Sequence, residues 1–208
     1  MTKVADIPEC LADRPRDRRG YPVPVSAAVD RAGMPHFTIT DPVERRRLAR
    51  EDRCHLSGRK LLRGRWFIGG PLAAFHTHGA FLDGPMLDEA SLFAVRTCPY
   101  IAAPNYSKRI DDLTLRKSPD SGIVAVSMHE ESIAERPELF VRAMCVGQKL
   151  VPSSEGDFLF YPKRPYRRVE FWRQGGLLDF RDGIRMAAET SRGELSEADI
   201  LAACGMRE

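Results

Sequence analysis

The sequence lacks any Cys-x-x-Cys pair, although its 208 residues include five cysteines. These are odd in number and widely spaced, at Cys10, Cys54, Cys98, Cys145 and Cys204. A secreted disulfide framework needs an even and closely grouped set, so we expect reduced thiols in a cytoplasmic protein. Two of them, Cys98 and Cys145, have apolar neighbours, and we expect both to be small buried side chains.

Export signals and long apolar runs are also absent. The first residues, MTKVAD, contain no apolar region of the kind found in a signal peptide. No apolar run approaches the roughly 20 residues that a membrane-spanning helix needs, so we expect no membrane partner. A chain that is 43% hydrophobic and 29% charged is typical of one globular domain. We predict a single domain over residues 1–208, with residues 1–25 as an extended, proline-containing N-terminal arm.

The common catalytic motifs are missing as well. The sequence contains no nucleophile elbow, P-loop, dinucleotide fingerprint or zinc-protease helix. The neighbouring carboxylates at 111–112 and 130–131 are typical of solvated charges, because catalytic acids and bases usually come from separate segments. These absences favour a binding protein over an enzyme.

A short segment resembles half of a zinc knuckle. Residues 54–58 read Cys-His-Leu-Ser-Gly, and a predicted helix about thirty residues later carries Leu87 and Ala90. Tetrahedral zinc needs four nitrogen or sulfur donors, whereas Ser57, Leu87 and Ala90 supply none of this kind. We therefore predict no structural zinc and no cofactor. Cys54 and His55 are interpreted as a retained fold position rather than as a nucleophile and its base.

These residues belong to a wider set of landmarks. An Asp-x-Arg-Gly-Tyr-Pro-x-Pro segment covers 17–24, a strand surrounds Phe37, and Gly-Pro follows an aromatic strand over 66–71. Cys-Pro-Tyr occurs at 98–100 and Val-Glu-Phe-Trp at 169–172. In these landmarks the chain resembles a group of uncharacterised bacterial and phage-encoded proteins, best over residues 14–105 and 165–180. That resemblance implies a treble-clef-like framework of Cys-x-x-Cys and His-x-x-Cys, from which this chain departs at three of four positions.

The pattern of elements predicts an α+β fold. A strand is expected at 37–40 and a helix over 41–52, capped by Asp41, with Val43 and Leu48 inward and its arginines solvated. Further strands are predicted at 66–68, 123–126, 139–145, 158–160 and 167–172, and further helices at 86–97, 180–190 and after Ser196. We expect a helix-containing, treble-clef-like N-terminal half, an antiparallel sheet and C-terminal helices.

The alternative function is an enzyme whose site forms around His76-Thr77-His78. In an extended segment the two imidazoles face the same side, so His76 and His78 could reach one metal ion. A carboxylate from Asp88 or Asp83 could complete the site, whereas a solvated loop is the simpler interpretation of the same residues.

The favoured function rests on an arginine-rich face. Net charge is only +3, but residues 1–70 hold fifteen Lys and Arg against nine Asp and Glu. A later basic segment, rich in arginine and tyrosine, covers residues 161–168. Its arginines could contact phosphates while its tyrosines stack on bases. The predicted partner-binding residues are Arg45, Arg46, Arg47, Lys163, Arg164, Tyr166, Arg167 and Arg168, with Arg59, Lys60, Arg63 and Arg65 as possible additions. The sequence thus predicts a non-enzymatic binding protein for nucleic acid or a protein partner, although these charges could instead protect a sheet edge.

Overall fold

The computed structural model describes residues 6–102, 137–152 and 158–206, and it has helices and antiparallel strands. The strands are β1 (Ala27–Val29), β2 (Pro35–Thr40), β3 (Arg65–Gly69), β4 (Phe140–Cys145), β5 (Gln148–Pro152), β6 (Phe158–Pro162), β7 (Arg168–Arg173) and β8 (Gly176–Leu177). The helices are α1 (Pro42–Arg50), α2 (Pro71–Phe75), α3 (Asp88–Thr97), α4 (Pro99–Ala102), α5 (Phe180–Thr190) and α6 (Glu197–Ala203). The predicted α+β class is confirmed. No helix of the described residues is long and apolar enough to cross a membrane.

The largest sheet has four antiparallel strands in the order β3-β4-β7-β8. Its register places Phe67 opposite Ala143, and Val141 opposite Phe171. Two hairpins lie beside it, β1 with β2 and β5 with β6. The predicted strand at 123–126 lies outside the described residues.

The two faces of this sheet bury different helices. Phe67, Val141 and Phe171 pack in one cluster with residues of α5 and α6. The neighbouring residues along the strands, such as Ile68 and Trp172, pack in a second cluster with α3 and the N-terminal segment. Successive side chains of a strand point to opposite faces, so this alternation places helices on both sides of the sheet.

The predicted helix boundaries rest on capping residues that the structure confirms. The Asp41 side chain accepts hydrogen bonds from the backbone N–H groups of Val43 and Glu44. The N–H groups of the first helical turn have no acceptor within the helix, so this cap supplies one. Ser196 and Asp199 form a reciprocal capping box at the start of α6. Each interaction joins residues that are three or fewer positions apart, so the sequence alone predicts it.

The buried face of α1 differs from the prediction. Val43, expected to point inward, is 64% exposed, whereas Arg45, expected to be solvated, is only 3% exposed. Leu48 is fully buried as predicted. The helix therefore packs the side that carries Arg45 and Leu48, which are three residues apart and share one face.

Residues 1–25 were predicted to form an extended arm. Within the described residues 6–25, this N-terminal segment includes a helical turn. A 3-10 turn at Glu9–Leu11 buries Cys10 and Leu11 against the second core cluster. Arg16 and Pro22 then form an isolated antiparallel bridge. The segment is thus packed on the domain, where it forms one wall of the cleft described below.

Candidate anion-binding cleft

The knuckle positions noted in the sequence do come together in space. The Sγ atom of Cys54 accepts hydrogen bonds from the backbone N–H groups of Ser57 and Leu87, each at 3.4 Å. Cys54 and Ala90 are both fully buried in the same core cluster. Cys54, Leu87 and Ala90 are therefore packed together in the apolar core.

His55, next to the knuckle cysteine, is a buried and neutral side chain. It is 2% exposed, and its Nε2 atom has no hydrogen-bond partner in the part of the chain that the structure describes. Its ring meets the edge of Phe160 at 5.3 Å between centroids. Burial, with a smaller contribution from the positive charge of Arg45, lowers the pKa of His55 to about 3. A base this weak is unsuited to remove a proton from Cys54.

The two histidines of the alternative site lie close to each other and to Glu194. The rings of His76 and His78 are 5.7 Å apart, and the carboxylate of Glu194 lies 3.9 Å from His76. In the described part of the chain, no group of three or more His, Cys, Asp or Glu side chains could hold a metal ion. His76, His78 and Asp88 therefore do not assemble into the predicted metal site.

Asp88 instead pairs with a buried arginine of the sheet. Arg142, at the centre of β4, contacts the Asp88 carboxylate and donates to Glu170 at 2.7 Å and to Ser91 Oγ at 2.9 Å. Its guanidinium also lies 3.5 Å from the ring centroid of Trp66. With carboxylates and a hydroxyl as partners, this buried charge fastens α3 to the sheet and is not a free site.

Two of the predicted partner-binding residues are structural. Arg45 donates from Nε to the carbonyl of Leu82 at 3.0 Å and also contacts the carbonyl of Phe158. The buried hydroxyl of Tyr166 donates to the carbonyl of Ala74 at 2.8 Å. Arg45 and Tyr166, both predicted to bind a partner, are therefore buried side chains that link segments distant in sequence.

The later basic segment is partly engaged as well. Arg164 donates to the carbonyls of Phe75 and His76, and Arg168 pairs with Glu170 at 2.7 Å. Lys163 and Arg167 are exposed.

The predicted basic residues of α1 and those of the later basic segment lie near opposite ends of strand β6. Arg45 contacts Phe158 at the start of β6, and Lys163 follows the end of that strand. With a rise of about 3.3 Å per residue, the length of β6 separates these positions by about 13 Å.

A surface cleft of about 410 Å³ lies between the N-terminal segment, α1 and the knuckle. Its lining residues are Cys10, Asp13, Arg14, Val25, Arg47, Arg53, Ser57, Gly58 and Arg59. Four of these are arginines and only one is a carboxylate. Sequence reasoning had named Arg47 and Arg59 but missed Arg14 and Arg53. The signal available for them was the excess of positive charge in residues 1–70.

One glutamate holds two of the cleft arginines together. The same oxygen of Glu51 accepts from Arg47 Nη1 at 3.0 Å and from Arg53 Nε at 2.8 Å. Arg47 also forks onto Glu44, and Arg53 donates to the carbonyl of Gly58 at 3.0 Å. Neither glutamate lines the cleft, so the carboxylates orient the guanidinium groups without occupying the space between them.

The remaining two arginines are held more loosely. Arg14 donates from Nε to the carbonyl of Val23 at 2.9 Å. Arg59 donates to the carbonyl of Glu9, while the carboxylates of Glu9 and Asp13 are 3.8 and 3.6 Å away. Those two carboxylates are at least 90% exposed. Exposed ion pairs of this kind contribute little, so an incoming anion can replace them.

The charge state of the cleft follows from these contacts. Burial lowers the pKa of Arg14, whereas hydrogen bonds to Glu44 raise the pKa of Arg47. A guanidinium remains protonated in proteins, so all four arginines are cationic at neutral pH. The cleft therefore offers N–H donors and positive charge to an anion.

Comparison of the chain with models of protein families, with curated proteins and with solved structures finds no match.

Proposed function

We propose that the protein is a non-enzymatic, cytoplasmic binding protein that holds nucleic acid through its arginine-rich N-terminal half. The observation that carries this proposal is the convergence of four arginines, from three separate segments, on one cleft. Guanidinium groups match the geometry of phosphate oxygens and bind them through two hydrogen bonds at once.

Further basic residues extend the positive surface beyond the cleft. Residues 6–70 contain fourteen Lys and Arg against nine Asp and Glu. Arg46 and Arg50 on α1 and Lys60 after the knuckle are exposed. Contacts of this type carry no sequence information, so we expect binding that depends on charge rather than on base identity.

Two residues of the later basic segment are available to nucleic acid in this proposal. Lys163 and Arg167 are exposed and could contact a second stretch of the same strand of nucleic acid. Arg164 and Arg168 would contribute mainly by holding that segment in place, since each has a partner within the protein.

We further propose that the knuckle is a metal-free version of a treble-clef-like framework. The support for this is the sulfur of Cys54, which accepts N–H groups from both of the segments that would carry ligands. Packing of Leu87 and Ala90 then replaces the metal, and the framework serves to position the arginines that flank it.

Salt dependence of oligonucleotide binding tests the function directly. Binding of a fluorescent single-stranded DNA oligonucleotide should weaken steeply with salt, with a log–log slope of about −0.7 per neutralised phosphate. The double variant Arg47→Gln/Arg59→Gln should weaken binding for all base sequences and flatten this slope by about one unit.

A charge-matched control separates local from global effects. Arg181→Gln/Arg185→Gln removes the same charge from exposed positions of α5, which packs on the other face of the sheet. It should leave the slope unchanged. No detectable binding at low salt, where the electrostatic contribution is largest, would refute nucleic acid as the partner and favour a protein instead.

A further inference from the structure

We propose that the arginine-lined cleft binds a phosphomonoester, and that its occupant is the terminal phosphate of a nucleic-acid strand. This inference rests on the proposed function, because it assigns to the cleft the end of the strand rather than its internal phosphates.

The first argument is the direction from which the donors come. Arg14 belongs to the N-terminal segment, Arg47 to α1, and Arg53 and Arg59 flank the knuckle. Donors on several sides suit a group with three free oxygens and a charge near −2, as in a terminal phosphate. An internal phosphodiester has one charge and two free oxygens, and it needs a groove that is open at both ends.

The second argument is the number of N–H groups left for a ligand. A guanidinium has five N–H donors. Among the described residues, Arg14 uses only its Nε atom, and Arg53 uses Nε and Nη1. Their remaining Nη donors have no hydrogen-bond partner among the described residues. Since Glu51 and the Val23 carbonyl already hold these side chains, little side-chain entropy is lost when the anion binds.

The third argument is the size and chemistry of the rest of the cleft. A volume of about 410 Å³ falls in the range of small-molecule sites and exceeds what one phosphate group needs. Cys10 and Val25 supply apolar surface, and the Asp13 carboxylate can accept a hydrogen bond from a sugar hydroxyl. These features fit a terminal nucleotide attached to the phosphate better than they fit a free inorganic anion.

The test compares oligonucleotides that differ only at their ends. Three single-stranded DNAs of one sequence carry a 5′-phosphate, a 3′-phosphate or hydroxyl groups at both ends. A labelled reference strand is displaced by each of them at constant ionic strength. We expect one phosphorylated form to bind about tenfold more tightly than the hydroxyl-ended form, as charge-assisted, forked hydrogen bonds to an added dianion would give.

Variants connect that preference to the cleft. Arg59→Gln should reduce the ratio of the two affinities to near one, and Arg59→Lys should restore it only in part, because lysine keeps the charge but loses the planar fork. Arg181→Gln removes the same charge from an exposed residue of α5 that does not line the cleft, and it should leave the ratio unchanged. Unfolding midpoints of all variants, measured in parallel, identify any that are misfolded.

The possible outcomes separate the inference from the function. Equal affinity for all three strands, with steep salt dependence, would overturn the terminal-phosphate site and leave nucleic-acid binding intact. Binding of none of them would overturn both. Competition by a phosphoserine peptide in the absence of any oligonucleotide binding would also overturn both and assign the cleft to a phosphoprotein.

Discussion

The buried histidine next to the knuckle makes the stability of this protein depend on pH. His55 has a folded-state pKa of about 3, below the 6.5 expected in the unfolded chain. The unfolded state therefore binds a proton first as the pH falls. The stabilisation is complete above pH 6.5 and is lost progressively between 6.5 and about 3.

The size of the effect follows from these two pKa values. One pKa unit corresponds to about 1.4 kcal/mol, so lowering the pH from 7 to 5 should reduce the free energy of unfolding by about 2 kcal/mol through His55 alone. Because pH 7 and pH 5 both lie well above the folded-state pKa, the decrease in the free energy of unfolding depends chiefly on the pKa of His55 in the unfolded chain. Burial of the ring, and to a smaller extent the positive charge of Arg45, explain why the native state does not accept the proton.

Urea unfolding at pH 7, 6 and 5 measures this contribution as a difference between proteins. His55→Gln cannot titrate, so its stability should fall by about 2 kcal/mol less than that of the unmodified chain over the same range. His76→Gln, which changes a half-buried histidine elsewhere, should retain the full decrease. Parallel pH profiles for the unmodified protein and His55→Gln would refute the reasoning.

Four further outcomes are expected. A Cβ atom on Gly84 would overlap the His55 ring, so Gly84→Ala should destabilise the protein by about 1–3 kcal/mol in urea unfolding, and an unchanged midpoint would contradict this packing. The purified protein should hold no tightly bound zinc by elemental analysis, because Leu87 and Ala90 offer no ligand; one equivalent that is lost in Cys54→Ala would overturn this. Reductant should leave the melting temperature unchanged, since the described cysteines are free, and native Cys10 should react slowly with iodoacetamide at pH 8 because burial, reinforced by Glu89, raises its pKa to about 12. A large decrease in melting temperature, or rapid alkylation, would count against that.

Local rules were sufficient for much of the fold. The helix starts at Asp41 and Ser196 and the strand at 66–68 depend on residues only a few positions apart, and all three were predicted. The strand β5 was missed because its side chains are mostly exposed and show no clear alternation. The short helix α2, five residues long, carries too few residues to show a helical period.

What the sequence determined by itself was the class of fold, the helix caps at Asp41 and Ser196, and three of the four strands of the largest sheet. It also showed that Ser57, Leu87 and Ala90 supply no nitrogen or sulfur ligand for zinc. What only the tertiary structure decided was which arginines are available to a partner. Arg45 is buried because its guanidinium finds carbonyl groups 37 and 113 residues away, and no local pattern reports those partners. Arg14 and Arg53 face one cleft for the same reason: the N-terminal segment folds back onto the knuckle, and burial of Cys10 and Leu11 in the core drives that packing. Charge and propensity are properties of a residue and its neighbours in sequence, whereas exposure and convergence are set by contacts between distant segments.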